Sequence, residues 1–318
     1  MKRNLIFSFI IISILKAQTS IISGFVSDSS SGEALIGANV FLYETRQGMA
    51  TDINGYYIIQ DIVPGNYTIM VSYIGFDIYK QKTRLSDGES KKVNINLVEQ
   101  VVQLTEIEVT AEKLQRRNNI QPSKISLSPR MMKAAPALAE PDLFRTIQAL
   151  PGVLTTSEFS TGLVIRGGNT DQNLIMLDGI TVYNPSHLGG VFSNFIVDGV
   201  KEAELIKGAY NAEYGGRLSA VLNVISREGN KNQFKGKANL SLLSAQTTLE
   251  GPFYKGAWIL SGRRTYFDLV LPKVLPAETA ENIPPYYFYD IQGHVFSDLS
   301  PKDRFSLSYY SGIDDIFF

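Results

Sequence analysis

Apolar and polar residues alternate with a period of two through most of this chain, in short runs near the start and long ones near the end. Tyr67, Ile69, Val71 and Tyr73 alternate with Thr68, Met70 and Ser72, and Val93, Ile95 and Leu97 alternate with Asn94 and Asn96. That is the signature of strands with one buried face. Pro64-Gly65 and Asp52-Ile53-Asn54-Gly55 supply turn chemistry between the runs. Residues 20–98 therefore predict a small antiparallel β-sandwich. Asp52 and Asn54 place oxygens at alternate positions, as calcium loops do, but the run lacks the later ligands and reads as a turn.

From Phe234 onward the alternation lengthens. Phe234, Gly236, Ala238, Leu240 and Leu242 alternate with Lys235, Lys237, Asn239 and Ser241; Ala245, Thr247 and Leu249 alternate with Gln246, Thr248 and Glu250. Tyr289, Ile291, Gly293 and Val295 alternate with Asp290, Gln292 and His294, and Phe305, Leu307 and Tyr309 face away from Arg304, Ser306 and Ser308. Segments of about ten residues with this pattern suit a membrane barrel, apolar to lipid and polar to lumen, or a soluble sandwich with one buried face. A run from Trp258 to Val270 fits less well as a strand, because the adjacent Arg263 and Arg264 take both faces. Five strands are read here, too few to close a membrane barrel. An open sheet leaves backbone groups unsatisfied in hydrocarbon, so a longer protein is expected.

Between these regions the pattern is mixed. Pro141 to Leu150 reads as one short helix, with Pro141 in its first turn and Pro151-Gly152 as its stop. Three glycine signatures follow in order: Ile165-Arg166-Gly167-Gly168, then Leu177-Asp178-Gly179-Ile180, then Lys207-Gly208 with Tyr214-Gly215-Gly216. Each follows a β-prone run, as tight positive-φ turns in a small sheet require. Asp178-Gly179 reads as a hairpin turn. A closing strand runs from Ala220 to Ile225.

Composition removes several chemistries. The formal charge is −1, which argues for no nucleic-acid partner, and the absence of cysteine excludes disulfides and thiolate metal sites. Two histidines, His187 and His294, are too few for a zinc enzyme, and His-Glu-x-x-His, Walker and dinucleotide elements are missing. No cofactor, metal or catalytic residue is assigned. Glu202 and Glu204 share a strand face and read as a polar face rather than a catalytic pair; His187 reads as a loop residue that could face a ligand. Lys2 and Arg3 followed by the apolar stretch Leu5 to Leu15 predict a signal peptide over residues 1–17 and export of the chain.

The ordered glycine signatures, with Leu150-Pro151-Gly152-Val153 before them, resemble the plug domain of TonB-dependent outer-membrane receptors. Gly37-Ala38-Asn39-Val40, Thr51 to Tyr57 and Pro64 to Tyr67 resemble carboxypeptidase-regulatory-like domains, a name that implies no peptidase activity. The expected fold is mainly β. A transthyretin-like β-sandwich (20–98) leads through a linker (99–124) to an α+β plug domain (125–233), then to the first antiparallel strands of an incomplete transmembrane β-barrel (234–318), which the resemblance implies has roughly 22 strands when whole.

Within the linker, Glu106, Ile107, Glu108, Val109, Thr110 and Ala111 alternate and resemble a TonB box, a segment suited to adding to the edge of a partner's sheet; an inert spacer is the other reading. The resemblance implies that a TonB-type periplasmic energy transducer pulls this connector and displaces the plug. It places Arg166, with Gly167 and Gly168, as a plug–barrel contact, where the other reading is a solvated arginine at a turn. Asp178, Gly179, Gly208, Gly215 and Gly216 become plug turns. The implied setting is the outer membrane of a Gram-negative-type envelope, with the N-terminal domain in the periplasm. Its partners are outer-membrane lipid, an external ligand such as a siderophore, glycan or peptide, and in some receptors a surface lipoprotein. The rival reading is a secreted β-rich adhesion or assembly module without transport.

Overall fold

The computed structural model describes residues 19–100, 123–135, 140–157, 160–241, 243–274, 276, 286–300 and 303–316. The signal-like stretch and the TonB-box-like Glu106 to Ala111 lie outside the described residues. The chain forms two compact units.

The first unit is a sandwich of two four-stranded sheets. One orders Gly48–Ala50, Asn39–Leu42, Gly65–Ser72 and Tyr79–Leu85; the other centres on Ser20–Asp28. Alternation along Gly65–Ser72 sends Tyr67, Ile69 and Val71 inward, where they meet Val40, Leu42, Ile22, Val26 and Tyr57. The expected wholly antiparallel pairing is corrected in one place. Ser20–Asp28 pairs antiparallel with Tyr56–Ile62 but parallel with Ser90–Lys92 and Ile95–Leu97. The chain crosses between sheets before 90, so its last short strands arrive in the direction of the first.

The second unit holds a mixed core and a wall. The core sheet runs Ile180–Thr181, Leu174–Leu177, Val221–Ser226, Val200–Ile206 and Lys124–Leu127. Ala203, Leu205, Leu222, Val224, Ile175 and Leu177 cover one face and pack on Met132, Leu143, Phe144 and Ile147 of two short helices. The second helix is Leu143–Gln148, and its N-cap is Asp142, whose carboxylate accepts from Arg145 N at 3.0 Å. Pro141 therefore precedes the helix instead of opening it. Lys124, assigned to the linker from sequence, is the first residue of a core strand.

The wall is five antiparallel strands: Lys235–Leu240, Ser244–Phe253, Gly256–Thr265, Tyr286–Asp298 and Arg304–Ile316. The strand expected to reach Val270 stops at Thr265, and Phe267–Val274 is a helix instead. Its Phe-Asp-Leu-Val-Leu run suits either structure, and Asp268 four residues past Arg264 forms an i,i+4 ion pair at 2.8 Å. No helix among the described residues is long and apolar enough to cross a membrane, a test that does not address strands.

Candidate functional site

Register decides which wall side chains reach the core. Asn239, Gln246, Arg263, Asp290 and Gly312 are successive cross-strand partners, so they form one row on a single face. The next row is Lys237, Thr248, Ser261, Gln292 and Tyr310, and a third contains Lys235, Glu250, His294 and Ser308. The opposite face carries Leu240, Leu260, Ile291, Phe305, Leu307 and Tyr309, all exposed. The polar face meets the core; the greasy face does not.

Arg263 is the hub of that meeting. Its side chain is 1% exposed. Nε donates to Asp290 Oδ2 at 2.8 Å, Nη1 to Glu140 Oε1 at 2.7 Å and Nη2 to the Ser193 carbonyl at 2.6 Å. Glu140 and Ser193 belong to the core; Asp290 belongs to the wall. The other oxygen of Glu140 accepts from Gln246 Nε2 at 2.6 Å and from the Ser244 hydroxyl. A planar guanidinium can serve three acceptors in fixed directions, which a lysine cannot.

The chain of charge continues through His187, buried in the core loop and stacked on Phe288 with ring centroids 4.1 Å apart. Nε2 lies 2.6 Å from Asp290 Oδ1, and Nδ1 lies 2.9 Å from Asp314 Oδ2. Both ring nitrogens thus face carboxylates, one on each of two neighbouring wall strands. Gly312 keeps the convergence open: a Cβ there would stand 2.9 Å from Asp290 Oδ1 and 2.8 Å from the Tyr310 hydroxyl.

Two further carboxylates of the core tie to the wall. Asp198 binds Lys237 Nζ at 2.8 Å and Asn239 Nδ2 at 2.7 Å, and also Lys133 from the core at 2.5 Å. Burial pushes its acidity toward the neutral form, but the two lysines outweigh that and hold it below the ordinary carboxylate range. Asp178 accepts from Ser226 N at 2.8 Å and from the wall's Ser308 at 2.6 Å. It is also depressed, with burial opposed and exceeded by hydrogen bonds from His294, Ser226 and Ser308.

The residues singled out from sequence are distributed unevenly around this seam. Asp178 and Gly179, at φ 50° and 82°, form the two-residue turn between Leu177 and Ile180, and Asp178 doubles as a wall contact. Gly167, Gly208 and Gly216 have positive φ, and Gly215 lies in the same loop as Gly216. Gly168 is needed for space, since a Cβ would sit 2.4 Å from Ser219 Oγ. Arg166 does not reach the five wall strands: it is exposed at φ 50°, 3.5 Å from Ser123 Oγ, with no carboxylate partner among the described residues. Its charged neighbour is instead Lys207, whose ammonium is held below its ordinary value by burial and then by Arg166.

The residues that do bind core to wall (Glu140, His187, Arg263, Asp290) were not recognised from sequence. Arg263 and Asp290 lie on consecutive wall strands with opposite charge, but the adjacent Arg264 hides which arginine faces Asp290 until the register is known. Among the described residues no group of three or more His, Cys, Asp or Glu is placed to hold a metal ion.

Residues 22–109 match the CarboxypepD_reg-like domain, and residues 108–221 match the TonB-dependent Receptor Plug Domain. The TonB-dependent transporter Oar of Myxococcus xanthus is 24% identical over 230 residues, 69% of this chain and 21% of its own. The TonB-dependent receptor P26 of Formosa agariphila is 29% identical over 224 residues, 66% of this chain and 21% of its own. The chain thus spans about a fifth of the length of these curated relatives, at 21% of each. Among solved structures, the siderophore receptor PirA from Pseudomonas aeruginosa aligns at 18% identity and TM-score 0.44, covering 62% of this chain and 34% of that one. Both domain matches in tandem, with these relatives, support a TonB-dependent receptor with an N-terminal CarboxypepD_reg-like domain, the core sheet standing as plug and the alternating strands as part of an incomplete barrel wall.

Proposed function

We propose that this chain works in the outer membrane as part of a ligand-uptake receptor whose plug is held in register by the Arg263 seam and displaced through the connector. The supporting observation is the two-faced wall. Its inner face binds the plug through buried ion pairs, and its outer face presents leucine, isoleucine and aromatic side chains to lipid. Ionic contacts suit a plug that must sit in one position and still separate, because water can take over each charged group once the seam parts. The family is one of transporters and receptors, and this reading assigns no catalytic step.

In this reading residues 1–17 direct export and the sandwich lies in the periplasm. Glu106, Ile107, Glu108, Val109, Thr110 and Ala111 offer an edge strand to a TonB-type transducer. Arg166, exposed and without an acidic partner among the described residues, is available to wall strands other than the five seen here. The external ligand is a small nutrient-class molecule of the siderophore, glycan or peptide type, delivered in some systems by a surface lipoprotein.

The test uses the absence of cysteine from these 318 residues, with any cysteine elsewhere in the receptor replaced by serine. Val109→Cys in the intact receptor is expected to crosslink to the periplasmic transducer in outer-membrane fractions, and Asp87→Cys, on an exposed sandwich turn, is not. Equal yields from the two positions, or a protein found outside the outer membrane, would overturn the proposal.

A further inference from the structure

The sandwich carries a charged face that neither its core nor the seam uses. Along Tyr79–Leu85 the buried Thr83 and Leu85 point inward, so Lys80, Lys82 and Arg84 point outward, and all three are exposed. Register extends them into rows across the sheet: Lys80 lies beside Met70 and then Phe41, Lys82 beside Thr68, and Arg84 beside Asn66. Tyr43, 52% exposed, joins the middle row through its N–H, which donates to the Thr68 carbonyl. Arg46 covers the same side, its guanidinium 4.9 Å from the Tyr43 ring centre and 5.8 Å from that of Phe41.

Composition does not produce this face. Residues 20–98 hold six basic and eight acidic side chains, yet four of the six bases collect here. The acid that reaches the face, Glu44, is held by Thr68 N at 2.8 Å and Thr68 Oγ1 at 2.9 Å, and Asp77 and Asp87 lie beyond the two ends of Tyr79–Leu85. Arg46, Lys80, Lys82 and Arg84 form no ion pair among the described residues. Lysines on an edge strand guard it against pairing with another chain, and Tyr79–Leu85 is such an edge. Guarding requires charge on that strand alone. It does not account for the exposed Tyr43 with Arg46 stacked on it, two strands away.

We propose that this face rests on the anionic phospholipid headgroups of the periplasmic leaflet. Ammonium and guanidinium groups on long apolar stems meet phosphates there, and a tyrosine sits at headgroup level with its ring in and its hydroxyl wet. Mobile headgroups can move to meet cations spread over several rows, whereas a protein partner would need carboxylates fixed at the same spacings. The chain supplies proximity as well. Residues 99–123 join the sandwich to the first plug strand, a tether of at most about 80 Å, so the membrane that holds the wall is within reach. A tethered surface needs little affinity of its own. Each basic group near such a surface favours the docked state by about fivefold, and the attraction fades with salt. Which leaflet is met rests on the outer-membrane reading above; the affinity for anionic headgroups does not.

Amine acetylation read by mass spectrometry tests this in the intact receptor, held in nanodiscs of phosphatidylcholine alone or of phosphatidylcholine and phosphatidylglycerol in equal parts. Lys80 and Lys82 are expected to react at least about fivefold more slowly in the anionic discs, and to lose that protection in high salt. Lys92, on the other sheet and 5.6 Å from the Phe25 ring centre, is expected to react alike in both. Arg46→Gln with Arg84→Gln should cut the protection, and Arg46→Lys with Arg84→Lys should retain it; both positions are exposed, and both reporter lysines remain. Equal reactivity of Lys80 and Lys82 in the two discs overturns the proposal, and so does equal slowing of all three lysines, the mark of a general surface potential. Protection seen in native outer membranes but absent from the anionic discs overturns it in favour of an acidic protein partner. Neither transducer nor ligand takes part, so this test can fail while the Val109→Cys crosslink forms, and succeed where that crosslink does not.

Discussion

The sandwich closes on side chains without charge, whereas the plug meets the wall through some of the most buried charges in the chain. Ile22, Val26, Val40, Leu42, Tyr57, Ile69 and Val71 fill the sandwich interior, and its buried Thr51 is satisfied locally by Ala38 N and the Leu35 carbonyl. At the seam, Arg263, Glu140, Asp290 and His187 are each within a tenth of full burial, and each has at least two polar partners. Apolar contact has no direction and tolerates small slides; a guanidinium fork fits one position only. Desolvation consumes most of the gain from buried ion pairs, so the seam contributes specificity of placement more than net stability. The sandwich interior closes without direction, and the plug–wall joint closes in one way.

Removing the hub breaks that comparison most severely. Arg263→Met leaves Glu140 and Asp290 buried without their cation, a loss expected at about 3–5 kcal/mol. Replacing the whole group with Arg263→Met, Glu140→Met and Asp290→Leu is expected to recover at least half of that stability while losing the single docked position. Denaturant unfolding of the intact receptor measures the first, and protease nicking of the plug measures the second. In the sandwich the matched change, Ile69→Ala, costs about 2–5 kcal/mol through its cavity and has no rescuing partner. If the triple variant remains as unstable as Arg263→Met, the seam is a stability element and the contrast fails.

Acid separates the two regions next. Asp178 and Asp198 have depressed acidities in the folded plug, so their contribution is fully present above the ordinary 3.8 and is lost as pH falls through their lowered values. The sandwich also has lowered carboxyls, Glu44 through Thr68 N and Glu89 through Ser86 N, but both lie at the surface where water screens them. As pH falls below 3.8, exchange protection is expected to fall at the plug–wall contacts before it falls in Gly65–Ser72. Asp198→Asn should reduce this difference. Simultaneous loss in both regions would remove the electrostatic distinction.

Much of this architecture is legible in the sequence, and the part that is not has a physical reason. Period-two alternation marks the sandwich strands and the wall, and Asp178-Gly179 marks a turn that two positive φ angles require. Local pattern leaves the run after Thr265 undecided: Phe267–Val274 is as apolar as a strand and folds as a helix. It cannot choose between the adjacent Arg263 and Arg264 either. Only register puts Arg263 in the row with Asp290 and turns Arg264 outward to Asp268 and the Tyr287 ring. Glu140 with Arg263 and His187 with Asp290 are each separated by more than a hundred residues, and no local period carries that information. The parallel pairing of Ser20–Asp28 with the last sandwich strands is hidden for the same reason.

The smallest effect sharpens the contrast from within the plug. Lys133 and Lys237 both bind Asp198, yet Lys133 comes from the plug's own first helix and Lys237 from the wall. Their side chains are 43% and 51% exposed, so each pair is worth about 0.2–1 kcal/mol after screening. If the seam sets position, Lys237→Ala should raise protease access to the plug more than Lys133→Ala, although the two change overall stability equally. Salt should reduce both effects together, since each lysine is wet. Equal protease access in the two variants would mean that Asp198 serves the plug's own fold, leaving Arg263 and His187 to hold the joint.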